Sequence, residues 1–518
     1  MNKNIEIVKN FMKEQGIKYL LVNSTNKYLV EYCPLEENSR YRLTAFSGST
    51  GDVLVTPQNI FLFVDGRYHI QADLEVDHKL ITVVKLQTGQ NFVDEFVKKI
   101  PQNEILGVFS KKNSQERVEK LQEKGIKTKL LDFDPLDKDI TYDKSSITTV
   151  EGLPVEEKIK NIKETTLITN LEEVSYLFNK RDFSKNYSSK ILGKAVIKDG
   201  RAILLDEIDD FVKDYDGEMW VDKSSINAYD FNLIGSKVKI LKDSPIKLMK
   251  SIKTDAEIEH YKMAFERTDK AVRAIREYIE NNENLSEFDI SEQLEKEFKK
   301  YGAKNLSFKS IVAKDKNSAL AHYSKCSKDE IITDGSLVLV DCGAYYEQGL
   351  ATDITRVFVK GEPSELQRKV YTTVLKMFLN AFNIQKIDPI LAFPHGAREN
   401  ISGFDIDNFA RQIYSQNEID GFVFNHGLGH GIGINVHEYP PNLSSNEMAK
   451  VEIKNGMCFT IEPGLYNENY FGIRLENSCY MKDNKIHSFV KMNYEKKLID
   501  YSMLTEQEKL WLKDFEVI

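Results

Sequence analysis

The sequence predicts a mixed chain of α/β and α+β parts. Two related α/β domains at residues 1–145 and 146–249 precede a larger α+β domain at 250–518. Three observations predict it. Apolar runs of strand length, such as IFLFV (60–64) and LVLV (337–340), alternate with stretches of helical period. The pattern of the first domain returns in degenerate form in the second. A capping box, Thr254 with Glu257, then opens a long amphipathic helix, after which strands dominate. A chain of 518 residues has room for three domains of about 150 residues each.

In order, the opening segment MNKNIEIVKNFMKEQG carries Ile5, Val8, Phe11 and Met12 at helical spacing. IKYLLV (17–22) reads as a buried strand, and GDVLVTPQNIFLFVDGRY (51–68) as two strands around a Pro-Gln-Asn turn. LLVNSTNKYLVEY with GDVLVTPQNIFLFVD is echoed by TLITNLEEVSYLFNKR with GKAVIKDGRAILLDE. Each is read as strand, Asn, helix and a hairpin ending in Asp65 or Asp206. The polar segment 136–152 lacks an apolar period and separates the copies. Beyond residue 250, Ile258, Tyr261, Phe265, Val272, Ile275 and Ile279 mark one helix, and a second follows Ser286. SLVLVDCGAYY, ATDITRVFVK, GMCFTIEPGLY and FGIRLENSCYM then read as strands of a mostly antiparallel sheet backed by helices.

Composition excludes several classes. A net charge of -9 offers no basic field for phosphate backbones, which argues against nucleic acid. No apolar run approaches membrane-spanning length, and the N-terminus lacks the apolar core of a signal peptide. Five cysteines without a CxxC pair (Cys33, Cys326, Cys342, Cys458, Cys479) point to reduced thiols and a cytoplasmic location.

Candidate chemistry gathers in the last third. Asp341 and Asp353 sit at the edges of two apolar strands, LVLVD and DITRVFV, so that a hairpin brings two carboxylates face to face. A lone Asp there is ordinarily a turn residue; the pair weakens that reading. His426, His430 and His437 fall within twelve residues, in HGLGHGIG and VHE, out of nine histidines in the chain. The intervening glycines let backbone approach a site closely and adopt unusual angles, while the GxGxG look is weak evidence for phosphate binding. Glu462 in FTIEPGLY and Glu476 in GIRLENS interrupt strands suited to burial. Buried carboxylates are costly unless paired or metal-bound, and a salt bridge of Arg474 is the bland alternative for Glu476. Two Asp, two Glu and at least one His suit a divalent pair such as Mn(II), Co(II) or Zn(II). Two such ions about 3.5 Å apart can share a hydroxide and hydrolyse an amide.

With its Asp, Asp, His, Glu, Glu order at Asp341, Asp353, His430, Glu462 and Glu476, the sequence resembles the pita-bread metallopeptidases. That family includes methionine aminopeptidase, prolidase and aminopeptidase P. RLTAFSGSTGDVLVTPQNIFLFVDGRYHIQAD, EEVSYLFNKR and LIDYSMLTEQEKLWL are similar to segments of its eukaryote-type, three-domain aminopeptidase P branch, so the resemblance covers nearly the whole chain. It implies two creatinase-type N-terminal domains and a pita-bread catalytic domain. It also implies two metal ions, Mn(II) foremost, bridged by Asp353 and Glu476 and completed by Asp341, His430 and Glu462. Glu462 would be general base, His322, His426 and His437 would line the cleft, and Tyr466 and Arg474 would support the ligands. The implied activity is removal of the first residue from peptides with proline at position two, through a metal-bridging hydroxide, by a homodimer. Prolidase action on Xaa-Pro dipeptides and a non-catalytic scaffold are the alternatives. The segment DFSKNYSSK after Arg181 departs from the branch by lacking its proline.

Overall fold

The computed structural model describes residues 2–87, 90–138, 144–323, 325–388 and 400–515. Part of the polar segment 136–152, residues 139–143, lies outside them, as does Ser324 in AHYSK. The described chain forms two compact units. One comprises residues 1–149, 153–180 and 191–246; the other comprises 150–152, 181–190 and 247–518.

The first unit holds two sheets. In the larger, Tyr19–Val22 pairs antiparallel with Asp52–Val55 and parallel with Ile105–Phe109. The sheet order runs Ile81–Lys85, Ile60–Val64, Asp52–Val55, Tyr19–Val22, Ile105–Phe109, Lys127–Leu131. Alternation assigns its residues to two cores: Leu20, Val22, Val53 and Val55 on one face, Tyr19, Leu21 and Leu54 on the other. The second sheet repeats this plan. Thr166–Ile168 pairs antiparallel with Lys194–Lys198, which pairs with Arg201–Leu205, and parallel with Met219–Val221, which pairs with Val238–Ile240. The sequence echo is therefore a repeated topology, with Ile81–Lys85 as an added strand in the first copy. The expected helix differs between the copies. Asn170 caps Leu171–Leu177 as read, but residues 23–38 are irregular and the helix comes late, at Ser39–Thr44 under an Asn38 cap. Asn23 instead pairs through its side chain with Asp52 and Asn113, so it ties the irregular segment to the sheet rather than starting a helix.

The second unit is α+β. Thr254 and Glu257 form the capping box of helix Asp255–Asn281, and Ser286 with Asp289 that of Glu287–Lys300. Three antiparallel strands, Ile311–Lys314, Leu337–Cys342 and Ile354–Val359, make one sheet. A five-stranded antiparallel sheet runs Glu438–Leu443, Gly429–Gly431, Cys458–Ile461, Asn477–Lys482, Lys485–Ser488. A hairpin, Gly464–Tyr466 with Gly472–Arg474, completes the set around the site. Helix Glu365–Phe382 is buried along most of its length, with Val370, Val374, Phe378 and Ala381 in one core with Leu337, Leu339, Phe459 and Ile473. No helix among the described residues is long and apolar enough to cross a membrane.

Candidate metal centre

Asp341 and Asp353 lie on neighbouring strands, diagonally rather than directly opposite. The register pairs Asp341 with Thr355, and Asp353, two residues before Thr355, shares its face. Both carboxylates are buried. Facing them, the ladder that pairs Ile461 with Asn477 and Gly464 with Arg474 is continuous in register, which sets Glu462 opposite Glu476. That pair is a non-hydrogen-bonded one, since the Leu475 N–H donates to the Pro463 carbonyl at the next position of the ladder. The Glu462 N–H donates to the Leu428 carbonyl and the Glu476 N–H to the Thr355 carbonyl. What reads in sequence as two interrupted strands is thus two strands that each break beside a carboxylate.

The histidine segment enters between them. Gly429–Gly431 is a short strand whose register with Glu438–Leu443 slips between His430 and Gly431. Its glycines serve close approach, not unusual angles. A Cβ on Gly429 would stand 2.0 Å from the Thr460 carbonyl oxygen, and one on Gly433 2.2 Å from the Glu438 carboxylate. The Gly-rich look therefore marks strand packing rather than a phosphate cradle.

One oxygen or nitrogen from each of Asp353, His430 and Glu476 lies within 4.8 Å of the others. His430 Nε2 is 3.6 Å from Asp353 and 3.4 Å from Glu462. Arg474 reaches Asp341 at 2.5 Å and Glu462 at 3.8 Å, so the guanidinium pairs with Asp341 and not with Glu476. Tyr466 Oη accepts from Arg474 Nη1 at 3.0 Å and lies 2.9 Å from His426 Nε2. The His437 ring meets that of His430 edge to face at 4.4 Å. His322 follows Ala321, whose carbonyl accepts from Arg474 Nη1 at 3.1 Å. The structure thus gathers the sequence-selected residues into one cluster, with His322 joined to it through its neighbour.

Sequence reasoning missed residues that hold the cluster. Thr355 Oγ1 donates to Glu476 at 2.8 Å and accepts from Arg474 Nε at 3.2 Å. Fully buried Arg356 donates to the carbonyls of Glu476 and Met492 and to Asn477 Oδ1, pinning the strand break from behind. Period 2 was the available signal for Thr355; none was visible for Arg356.

The electrostatics call for cations. Burial first, then the neighbouring carboxylates, raises Asp353 and Glu476 well above the ordinary carboxyl range. Burial also raises Asp341, against the pull of Arg474. One oxygen of each of Asp341, Asp353 and Glu476 is buried without a hydrogen-bond partner. His430 Nδ1 lies 3.0 Å from the Gly431 carbonyl, which can only accept, so the proton belongs on Nδ1. The bare Nε2 lone pair then points at two carboxylates. Four carboxylates against one guanidinium leave a charge of about −3 when ionised, which one divalent ion does not neutralise and two do. The donor set, oxygen-rich with one imidazole, fits such a pair.

Comparison with known proteins places two family domains on the chain. Residues 259–483 match the metallopeptidase family M24 model, and residues 5–140 that of the Creatinase/Prolidase N-terminal domain. Xaa-Pro aminopeptidase 1 of Dictyostelium discoideum is 28% identical over 99% of this chain and 92% of its own. A probable Xaa-Pro aminopeptidase P of Coprinopsis cinerea is 27% identical over 99% and 94%. The crystal structure of the X-prolyl aminopeptidase from Caenorhabditis elegans, described as a cytosolic enzyme with a di-nuclear active site, shares the fold. Its TM-score is 0.84 at 21% identity, covering 96% of this chain and 90% of that one. The chain therefore joins a Creatinase/Prolidase N-terminal domain to a metallopeptidase family M24 domain, and every residue of the cluster lies in the latter.

Proposed function

We propose that this chain is an Xaa-Pro aminopeptidase, releasing the first residue of peptides whose second residue is proline. The observation that carries the hydrolytic part is three buried carboxylates, Asp341, Asp353 and Glu476, each with one oxygen lacking a hydrogen-bond partner, gathered with the half-buried Glu462 and His430. The proline preference rests on full-length similarity to proteins bearing that name.

Asp341, Asp353, His430, Glu462 and Glu476 would hold two divalent ions in this reading, Asp353 and Glu476 being the shared ligands that the resemblance implies. Mn(II) is the metal the resemblance implies, and the ligand set equally admits Co(II) or Zn(II). When bound, the ions supply Lewis-acid polarisation of the scissile carbonyl and a water of lowered pKa. Glu462 takes the water's proton. Its side chain is the most accessible of the four carboxylates, 18% exposed against 11% for Asp341 and 6% for Asp353, as a group meeting substrate must be. Arg474 fixes Asp341 and Tyr466, and Tyr466 orients His426. His322, His426 and His437 line the cleft and receive the carbonyl and the proline ring. An Xaa-Pro bond has no N–H to grip, so a site that relies on imidazoles and apolar surface is what such a substrate requires.

The partition into domains 1–145, 146–249 and 250–518 belongs to the same proposal, supported by the repeated sheet topology. A cytoplasmic location, supported by five free cysteines and by the cytosolic relative, and the homodimer that the resemblance implies complete it. The deciding experiment compares an Xaa-Pro-Xaa tripeptide with an Xaa-Pro dipeptide on Mn(II)-loaded protein. Preferential tripeptide turnover, silenced by chelation, is expected. Preference for the dipeptide makes the chain a prolidase, and turnover that survives complete metal removal overturns the mechanism.

A further inference from the structure

Helix Gly403–Ser415 carries a buried ion pair that none of the roles above uses. Arg411 Nε donates to Asp407 Oδ2 at 2.8 Å and Nη2 to Oδ1 at 3.2 Å, one turn apart. The Asp407 side chain is wholly buried and that of Arg411 28% exposed. The pair's remaining capacity is directed at residues 424–428. Arg411 Nη2 donates to the His426 carbonyl at 2.6 Å and Nη1 to the Phe424 carbonyl at 3.3 Å. Asp407 Oδ1 accepts from the Leu428 N–H at 3.0 Å. The guanidinium also lies over the Phe424 ring at 4.3 Å, and that ring meets the His426 imidazole edge to face at 5.1 Å.

This grip bears on the imidazole's protons. His426 Nδ1 is 2.7 Å from the Gly427 carbonyl, which can only accept, so Nδ1 carries the proton. Nε2 is then the acceptor for Tyr466 Oη, whose oxygen already accepts from Arg474. The direction of the Gly427 carbonyl selects the tautomer, and it sits between two backbone groups held by the pair, His426 C=O and Leu428 N–H. We propose that Asp407 and Arg411 are positioning residues that hold His426 as its Nδ1–H tautomer with Nε2 turned to Tyr466. The proposal rests on the reading of His426 as a cleft residue. An ion pair serving the helix alone has no need to spend guanidinium donors on two loop carbonyls.

The test is the double variant Asp407→Asn/Arg411→Met, which leaves no orphan charge and keeps an acceptor for Leu428 N–H. In Zn(II)-loaded protein with 15N-labelled histidine, assigned with His426→Gln, the His426 resonances are expected to move from the Nδ1–H pattern to a tautomer mixture. Tripeptide kcat/KM is expected to fall about 10²-fold, the scale of a 1 Å misplacement, with metal content unchanged. Adding His426→Ala to the double variant is expected to cost nothing further, because the pair acts through that ring. Should the double variant not fold, Arg411→Lys keeps the ion pair without the two-carbonyl grip and is expected to shift the tautomer in the same sense. An unchanged tautomer pattern, losses that multiply with His426→Ala, or a loss that tracks metal content overturns the proposal. If the wild type does not cleave the tripeptide, the functional reading fails while the tautomer measurement still decides this one.

Discussion

Thr355→Val is the sharpest probe of the centre, because it changes one hydroxyl and no candidate ligand. The substitution keeps the shape of a side chain that is fully buried. It removes the 2.8 Å bond to Glu476 Oε2 and the 3.2 Å bond from Arg474 Nε. Glu476's other oxygen has no hydrogen-bond partner, so Thr355 is what orients that carboxylate before a cation arrives. A hydrogen bond to a charged group contributes about 1.5–3 kcal/mol, which as lost metal affinity is roughly 10- to 150-fold. That matches the range of about 10–100-fold typical of groups that orient metal ligands. Competition against a chelator of known affinity reads the loss directly, and turnover at saturating metal is expected to recover to within a few-fold of wild type. Thr355→Ser restores the hydroxyl and is expected to restore the affinity. Wild-type affinity in Thr355→Val, or an equal loss in Thr355→Ser, refutes the argument.

Three further outcomes follow from other parts of the unit. Burial opposes ionisation of Glu438, but Lys250 at 2.7 Å and Lys253 at 3.3 Å outweigh it and hold the carboxyl at about 2, below the ordinary 4.5. A depressed pKa stabilises the fold above about 4.5 and loses that contribution as pH falls toward about 2. The contribution is about 3 kcal/mol, so the stability gap between wild type and Glu438→Gln is expected to narrow from pH 5 to pH 3 in urea unfolding; parallel curves contradict it. Gly429→Ala drives a Cβ against the Thr460 backbone and must displace the His430 strand, so a lowered Tm worth about 1–3 kcal/mol together with weaker metal binding is expected by calorimetry and chelator competition. Glu462→Gln is expected to abolish turnover while circular dichroism and the N-terminal unit's unfolding stay as in wild type; residual rates near wild type remove Glu462 from proton transfer.

Much of the site was legible because its chemistry violates local rules. Aspartates at the ends of LVLVD and before ITRVFV, and glutamates inside FTIEPGLY and GIRLENS, are charges where apolar alternation leaves no room for them. What stayed hidden belongs to positions whose local pattern fits an ordinary role. Nothing in ITRVFV singles out Arg356, yet all six residues of Ile354–Val359 are buried: Thr355 meets the cluster and Val357 and Val359 the helical core on one face, while Arg356 on the other is taken up by Glu476, Asn477 and Met492. Asp407 and Arg411 stand one turn apart with nothing local to mark them, and only the fold sets them against residues 424–428. The irregular segment 23–38 shows the converse error, a helix inferred from an echo that the first copy postpones to residue 39.

The pairing of Glu462 with Glu476 explains why the centre demands cations. Continuous register places Glu462 and Glu476 directly across the ladder, where like charges destabilise the pairing. Theirs is a non-hydrogen-bonded pair of that ladder, so each backbone N–H points outward to a flanking segment, Leu428 beside the histidines and Thr355 beside the aspartates. These two bonds draw in the two segments carrying His430 and Asp353. Repulsion between the glutamates and assembly of the five-residue cluster are one arrangement, and positive charge between the side chains is what makes it stable.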